Sequence, residues 1–452
     1  MLLTLSILAL VVTGFVFSRI PRPWRWARAD TYFLLHIALH YPMRGMALAL
    51  GWPSISQVSE RSLLIALCYV IAFVLVFGAA NSILGRTPNR PLAADRRASS
   101  RPTHTLVAYA GVVLHFAFFA YLWETGYIRV FAYYARESAP SELEKAIWMF
   151  SSARWFFLSY ALLAPRLTKK TLVAVGIMLL LTAVQAAMAA VKGELVMAVV
   201  AIMAARTMAI GSVPRKVSLL LATAALGAGF WSYVLRVQGR IWEPFVTESW
   251  RASFPGQVQA AEWQVAMAAT VDRFAYLDLL ALVVEYGPVV PRGAYAAGSL
   301  VEVVDLIPRA LVPDRPSYSF NTYITQSILG MPIRSETPIG RIGESYFAFG
   351  WAGIVMASLY AALFHRLGDL GRRARGAFGQ ALYLYVLLLY GFPDGHLMLS
   401  VKTLVYVVPV LCLGRVIFAR TLRRIGTAEG WRTARRFATA APLGPRHPCR
   451  GH

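Results

Sequence analysis

Three cationic side chains stand in or beside apolar stretches of this 452-residue chain: Arg44, Arg154 and Lys192. An ionised group at bilayer depth costs several kcal/mol unless it faces a polar cavity or a partner, so each is a candidate site residue. Together they suggest a cavity in the outer leaflet that holds an anion. Snorkelling to a headgroup, or a structural ion pair, would account for them without function. His36, His40 and Arg44 recur at intervals of four, which puts them on one helix face.

A second set of cations lies between residues 236 and 345. It comprises Arg236, Arg240, Arg251, Arg273, Arg292, Arg309, Arg315, Arg334 and Arg341, with no lysine among them. The planar guanidinium fork makes bidentate contacts to phosphates and carboxylated sugars that an ammonium cannot reproduce. A GC-rich genome would raise arginine everywhere and is the plain alternative.

Arg341 and Glu344 stand one helical turn apart in a run with Gly340, Gly343, Gly350 and Gly353. The glycines allow close helix packing. A carboxylate held by a neighbouring arginine could take a proton from a hydroxyl, or the two could be a structural pair. Further on, Pro393-Asp394-Gly395-His396 supplies another carboxylate and an imidazole. The catalytic candidates are therefore Glu344 and His396. The binding candidates are Arg309, Arg315, Arg341, Arg154, Arg44, Lys192, Arg240 and Arg273.

The elements that must position these residues are apolar helices. The chain is 58% hydrophobic and 15% charged, with a mean hydropathy of +0.54, above the range of soluble globular proteins. Its apolar residues fall in blocks near the length that crosses a bilayer as helix. These cover 2–18, 31–51, 62–84, 104–123, 146–164, 171–191, 195–211, 217–235, 346–364, 380–393 and 403–418. The first block lacks a positive n-region, and Arg19, Arg22, Arg25 and Arg28 follow it, so it reads as a retained helix rather than a cleaved signal.

Alternate connections differ sharply in basic content. One set carries eighteen lysines and arginines, with nine more arginines in the tail from Arg415; the opposite short loops carry six. The positive-inside rule then gives eleven spans with the N-terminus outside and the C-terminus in the cytoplasm. The expected organisation is 1–235 for helices one to eight, 236–345 for a large periplasmic loop, 346–418 for helices nine to eleven, and 419–452 for a basic tail. The formal charge of +23 is mostly this asymmetry plus a tail suited to anionic lipid, which argues against nucleic acid as a partner. Cys68, Cys412 and Cys449 form neither a disulfide framework nor a zinc spacing. No internal repeat recurs, and an inverted-repeat transporter would show one.

The loop is too long for a connector. It holds eleven of the chain's 22 acids and many aromatics, a composition that orders. Gln257 to Tyr286 has neither Pro nor Gly and reads as helix, with Phe274, Leu277, Ala281 and Val284 on one face. A short helix is expected from Gly298 to Ile307, stopped by Pro308. An ordered loop over the membrane mouth is expected from Leu311 to Arg341.

The run Ile307-Pro308-Arg309-Ala310-Leu311-Val312-Pro313-Asp314-Arg315-Pro316 and the Glu344-Ser-Tyr-Phe-Ala-Phe-Gly350 core resemble two segments of the Wzy-type oligosaccharide repeat-unit polymerases of bacterial O-antigen and exopolysaccharide. The resemblance covers residues 190–365 by motif and the rest by topology. It implies an all-helical, multi-pass protein of the bacterial inner membrane. Its implied activity is a glycosyl transfer that joins undecaprenyl-diphosphate-linked oligosaccharides outside the cytoplasm, without metal or other cofactor. By the same resemblance, Arg309, Arg315 and Arg341 occupy the family's basic loop positions, Glu344 its acidic position, and Lys192 its basic-Gly position. Implied partners are the lipid-linked oligosaccharide, membrane lipids and a chain-length regulator protein. Two other readings stand beside it. An O-antigen ligase would use the same donor but usually carries a loop histidine, and residues 236–345 contain none. A transporter would move the same anion without chemistry.

Overall fold

The computed structural model describes residues 1–20, 22–52, 58–84, 101–124, 147, 149–189, 193–211, 276–286, 340–374, 376–391 and 403–416. Among these residues every regular element is a helix. In chain order they are α1 (Leu2–Ser18), α2 (Ala29–His40), α3 (Pro42–Ala49), α4 (Glu60–Leu84), α5 (Arg101–Glu124), α6 (Arg154–Leu162) and α7 (Lys169–Ala189). Then follow α8 (Gly193–Ile210), α9 (Tyr276–Tyr286), α10 (Gly340–Phe349), α11 (Val355–Arg373) and α12 (Gly376–Gly391). Single 3-10 turns, Arg22–Ala27 and Gly350–Ile354, precede α2 and α11. A second compact unit begins at Leu404, and its described part is α13, Thr403–Val416.

Among the described residues, four helical stretches are long and apolar enough to cross a membrane: Glu60–Leu84, Thr103–Glu124, Lys169–Ala186 and Gly340–Gly371. This is the architecture of a helical membrane protein. Leu2–Ser18, Gly376–Tyr390 and Thr403–Val416 are shorter apolar helices. Large apolar side chains remain exposed along α1 (Val11, Phe15), α5 (Val113, Phe116) and α7 (Val173, Leu180). An apolar belt of this kind is unfavourable in water and neutral in lipid.

Several expected spans are broken rather than continuous. The 31–51 block divides at Tyr41-Pro42 into α2 and α3. Pro42 has no N–H to give the carbonyl of Ala38, and Tyr41 leaves the helical line at φ −113, ψ −69. His36 and His40 therefore share a face of α2, whereas Arg44 belongs to the next helix. The 146–164 block is interrupted at Ser152-Ala153, where i→i+3 bonds from Trp155 and Phe156 start α6. The region after Gly340 is two helices joined by a 3-10 turn, with Gly350 at φ +59. The expected helix at 217–235 lies outside the described residues, as do those parts of the large loop other than 276–286 and 340–345.

The core of the first unit is aromatic. Phe33 of α2 packs against Phe77 of α4 and, edge-on, Phe364 of α11, each at 5.2 Å between ring centroids, and against Tyr360 at 5.8 Å. Close helix approach depends on glycines. A Cβ on Gly45 would meet Ser6 Oγ of α1 at 2.2 Å, and one on Gly78 would meet Val16 at 2.7 Å. Helix α9, expected as the end of a large-loop helix with one apolar face, is buried on all sides from Tyr276 through Val284 among α3, α4 and α10. The continuous apolar run Leu279-Leu280-Ala281-Leu282-Val283-Val284 explains this, because it has no polar face to turn outward. Its exposed end is tied to α4, where the Ser59 backbone N–H donates to Glu285 at 2.9 Å and the Ser59 hydroxyl donates at 3.1 Å.

The tightest junction is at Gly353, where a Cβ would lie 2.2 Å from the Ser345 carbonyl oxygen and 2.6 Å from the Tyr69 hydroxyl. Gly353→Ala should therefore force α10 from α11 and cost about 1–3 kcal/mol, the usual penalty of overpacking. Thermal unfolding of the purified chain in detergent should show a lowered Tm; an unchanged Tm would mean the junction gives way freely.

Candidate functional site

Arg341 is the side chain that the bundle treats least like a structural residue. Gly340, at φ +68, starts α10, and Arg341 follows it with 0% exposure. Nη1 donates to the Tyr390 carbonyl at the end of α12, at 2.8 Å. The guanidinium carbon stands 5.5 Å from the Tyr390 ring centroid and 5.9 Å from that of Tyr360. Aromatic faces stabilise a cation, more so when it is desolvated. Even so, Nε and Nη2 meet no hydrogen-bond acceptor among the described residues. A buried orphan donor costs about 1–3 kcal/mol, and an uncompensated buried charge costs more.

Around Arg341 lie groups that could work with a bound anion. Glu344 is one turn along α10, close enough to act electrostatically on Tyr360. Ser345 donates its hydroxyl to the Arg341 carbonyl at 2.7 Å, which steadies the first turn of α10. On α2, His36 and His40 stack at 3.6 Å between centroids. Tyr276 of α9 presents an edge to both rings, at 5.3 and 4.8 Å. The Arg341 charge reaches His36. Chemically, this is a buried cation whose Nε and Nη2 meet no acceptor among the described residues, one turn from a carboxylate and within electrostatic reach of an imidazole. It can hold an oxyanion and move a proton.

The other two intramembrane arginines are compensated. Arg44 makes a fork onto Asp278 of α9, with Nε donating to Oδ2 at 2.7 Å and Nη2 to Oδ1 at 3.3 Å; both side chains are 0% exposed. Arg154 pairs with Glu194 of α8. It also donates to the Ser151 carbonyl and hydroxyl at 3.2 and 3.1 Å and lies over the Trp155 ring at 4.9 Å. Each thus has the carboxylate partner that the structural alternative supplies. Lys192, Arg240, Arg273, Arg309, Arg315 and His396 lie outside the described residues.

Sequence reasoning passed over the partners of these cations. Asp278 was legible as an acid inside the apolar run Tyr276-Leu-Asp-Leu-Leu-Ala-Leu-Val-Val, where a carboxylate needs a cation. Tyr360 and Tyr390 carried no signal, since aromatics are common in apolar helices. Among the described residues no group of three or more His, Cys, Asp or Glu is placed to hold a metal ion. Comparison with protein-family models, with curated proteins and with solved structures finds no match to this chain.

The buried Arg44–Asp278 fork makes a sharp prediction. Arg44→Met or Asp278→Leu alone leaves one group buried without its partner and should cost about 3–5 kcal/mol. The double change Arg44→Met/Asp278→Leu should recover most of that loss. Thermal unfolding of the four proteins checks it; additive losses would show that the two side chains do not act as a pair.

Proposed function

We propose that this chain is a membrane-embedded glycosyltransferase that polymerises undecaprenyl-diphosphate-linked oligosaccharide repeat units at the outer face of the bacterial inner membrane, for O-antigen or exopolysaccharide. The observation that carries the reading is Arg341. It is a fully buried cation, braced by one carbonyl and two tyrosine faces, with two open nitrogen positions and Glu344 one turn away. Such a group stabilises negative charge far better than an exposed one, because water does not compete. Support also comes from the resemblance of the Arg309–Arg315 and Gly340–Gly353 segments to repeat-unit polymerases. The basic asymmetry of the connections adds to it, arguing for eleven spans, N-out and C-in, with residues 236–345 outside.

In the proposed reaction the anomeric carbon of the donor glycan loses its bond to the lipid diphosphate and gains one to an acceptor hydroxyl oxygen. The bonding pair leaves with the diphosphate. Arg341, with Arg309 and Arg315 of the loop, neutralises the charge that develops there. Glu344 or His396 takes the acceptor hydroxyl's proton. Arg44 and Arg154, each held by a carboxylate, position helices and are not assigned to the diphosphate. Membrane lipid and a chain-length regulator protein are the further partners this reading implies.

The test is glycan extension by the purified chain in nanodiscs supplied with lipid-diphosphate-linked repeat units. Wild type should give a ladder of lengthened glycans. Arg341→Met, Arg309→Ala and Glu344→Ala should each reduce it by about a hundredfold, the effect of removing a transition-state contact. Binding or flipping of the lipid-linked unit with no ladder would overturn the enzyme and favour transport.

A further inference from the structure

A second polar cluster lies apart from Arg341, where α5, α6, α7 and α8 meet, and its alignment can be followed along the helices. His104 Nδ1 donates to the Tyr160 carbonyl at 2.9 Å, and Thr105 and Thr171 share a hydrogen bond at 2.8 Å. Two turns on, a Cβ at Gly111 would meet Phe157 at 2.6 Å and Met178 at 3.2 Å. One turn further on the same face stands His115, whose Nε2 lies 3.2 Å from Gln185 Oε1. Arg154 is three residues before Phe157, and its charge reaches the His115 ring. His115, Gln185, Arg154 and the Glu194 paired with Arg154 therefore occupy one level of the four helices. By the charge asymmetry of the connections this is their outer end.

At this level three polar atoms have no hydrogen-bond partner among the described residues: His115 Nδ1, Gln185 Nε2 and Arg154 Nε. The three side chains are only 2%, 2% and 4% exposed. Native proteins rarely leave such atoms unsatisfied, and each costs about 1–3 kcal/mol. Their chemistry defines what would satisfy them. Because Gln185 Oε1 can only accept, His115 Nε2 carries the proton and Nδ1 of the neutral ring is an acceptor. Gln185 Nε2 and Arg154 Nε are donors. Two donors and one acceptor match a hydroxyl group, which accepts two hydrogen bonds and donates one. A phosphodiester has no proton to give Nδ1. Glu194 also cancels the Arg154 charge, so the level is neutral overall, unlike the uncompensated Arg341. Glu194, 12% exposed, is the least buried member of the level.

We propose that His115, Gln185 and Arg154 form a binding site for a sugar hydroxyl, separate from the anion site at Arg341. Within the polymerase reading, on which this assignment of the sugar rests, the site holds the acceptor unit's glycan. The hydroxyl chemistry itself does not depend on that reading.

The experiment is saturation-transfer NMR on the full chain in nanodiscs. The probe is an equimolar mixture of D-glucose, D-galactose, D-mannose, L-rhamnose and N-acetyl-D-glucosamine. At least one sugar should take up saturation from wild type and from Arg341→Met. Gln185→Leu and His115→Phe should reduce that uptake by about tenfold, the effect of losing about 1.4 kcal/mol of hydrogen bonding. Gln185→Glu keeps the acceptor for His115 Nε2 but loses both N–H donors, so it should show the same loss; it serves where the apolar variants fail to fold. No uptake by wild type, or uptake unchanged in a folded Gln185 variant, would overturn the site and leave water as the occupant. Glycan extension without sugar uptake keeps the polymerase and removes this site. Uptake without extension keeps the site and removes the polymerase.

Discussion

A guanidinium sealed in an apolar bundle is the constraint from which the rest of this structure follows. Removing a charge from water costs several kcal/mol after relaxation, and the chain does so at Arg44, Arg154 and Arg341. At two of them it places a carboxylate from a distant helix, Asp278 or Glu194, on the fork. These contacts fix α9 against α3 and α8 against α6. At the third it supplies a carbonyl and two aromatic faces and no carboxylate among the described residues. Among the described residues, a carboxylate partner thus separates Arg44 and Arg154 from Arg341.

The broken helices serve the same end. A straight span at 31–51 would have put Arg44 on the line of His36 and His40. The Pro42 break instead turns α3 so that Arg44 meets Asp278 while the two histidines stay beside Tyr276. The break at Gly350 lets α10 lie against α11 closely enough for Ser345 to touch Gly353, so that Arg341 is held between Tyr360 and Tyr390. The pivot residues Tyr41, Pro42 and Gly350 are buried, while Met43, Phe349 and Trp351 beside them face outward.

Much of the architecture was legible in the sequence because it rests on local physics. Helix positions follow from apolar block length: α1, α4, α5 and α7 fall within a few residues of the blocks that announce them. Breaks are less legible, because a proline or glycine inside an apolar block does not say whether the helix bends there: neighbouring helices can satisfy the freed backbone groups. The cations were found by their cost, but their partners were not, because an ion pair such as Arg44–Asp278 joins residues 234 apart and no local pattern encodes that distance. The burial of α9 followed from an apolar run that was read by its period rather than by its lack of a polar face. His115 and Gln185 look ordinary alone; only the alignment of α5 with α7 makes them a pair.

The central claim is that Arg341 holds the diphosphate of a lipid-linked substrate, and binding measures this directly. Titration of a short-chain polyprenyl diphosphate into the full chain in nanodiscs should give saturable binding for wild type. Arg341→Met should weaken it by about a hundredfold or more, since a charge-assisted contact in a dry site is worth about 2–4 kcal/mol. Equal binding by a folded Arg341→Met protein would contradict the account and leave Arg341 a structural role, like that of Arg44.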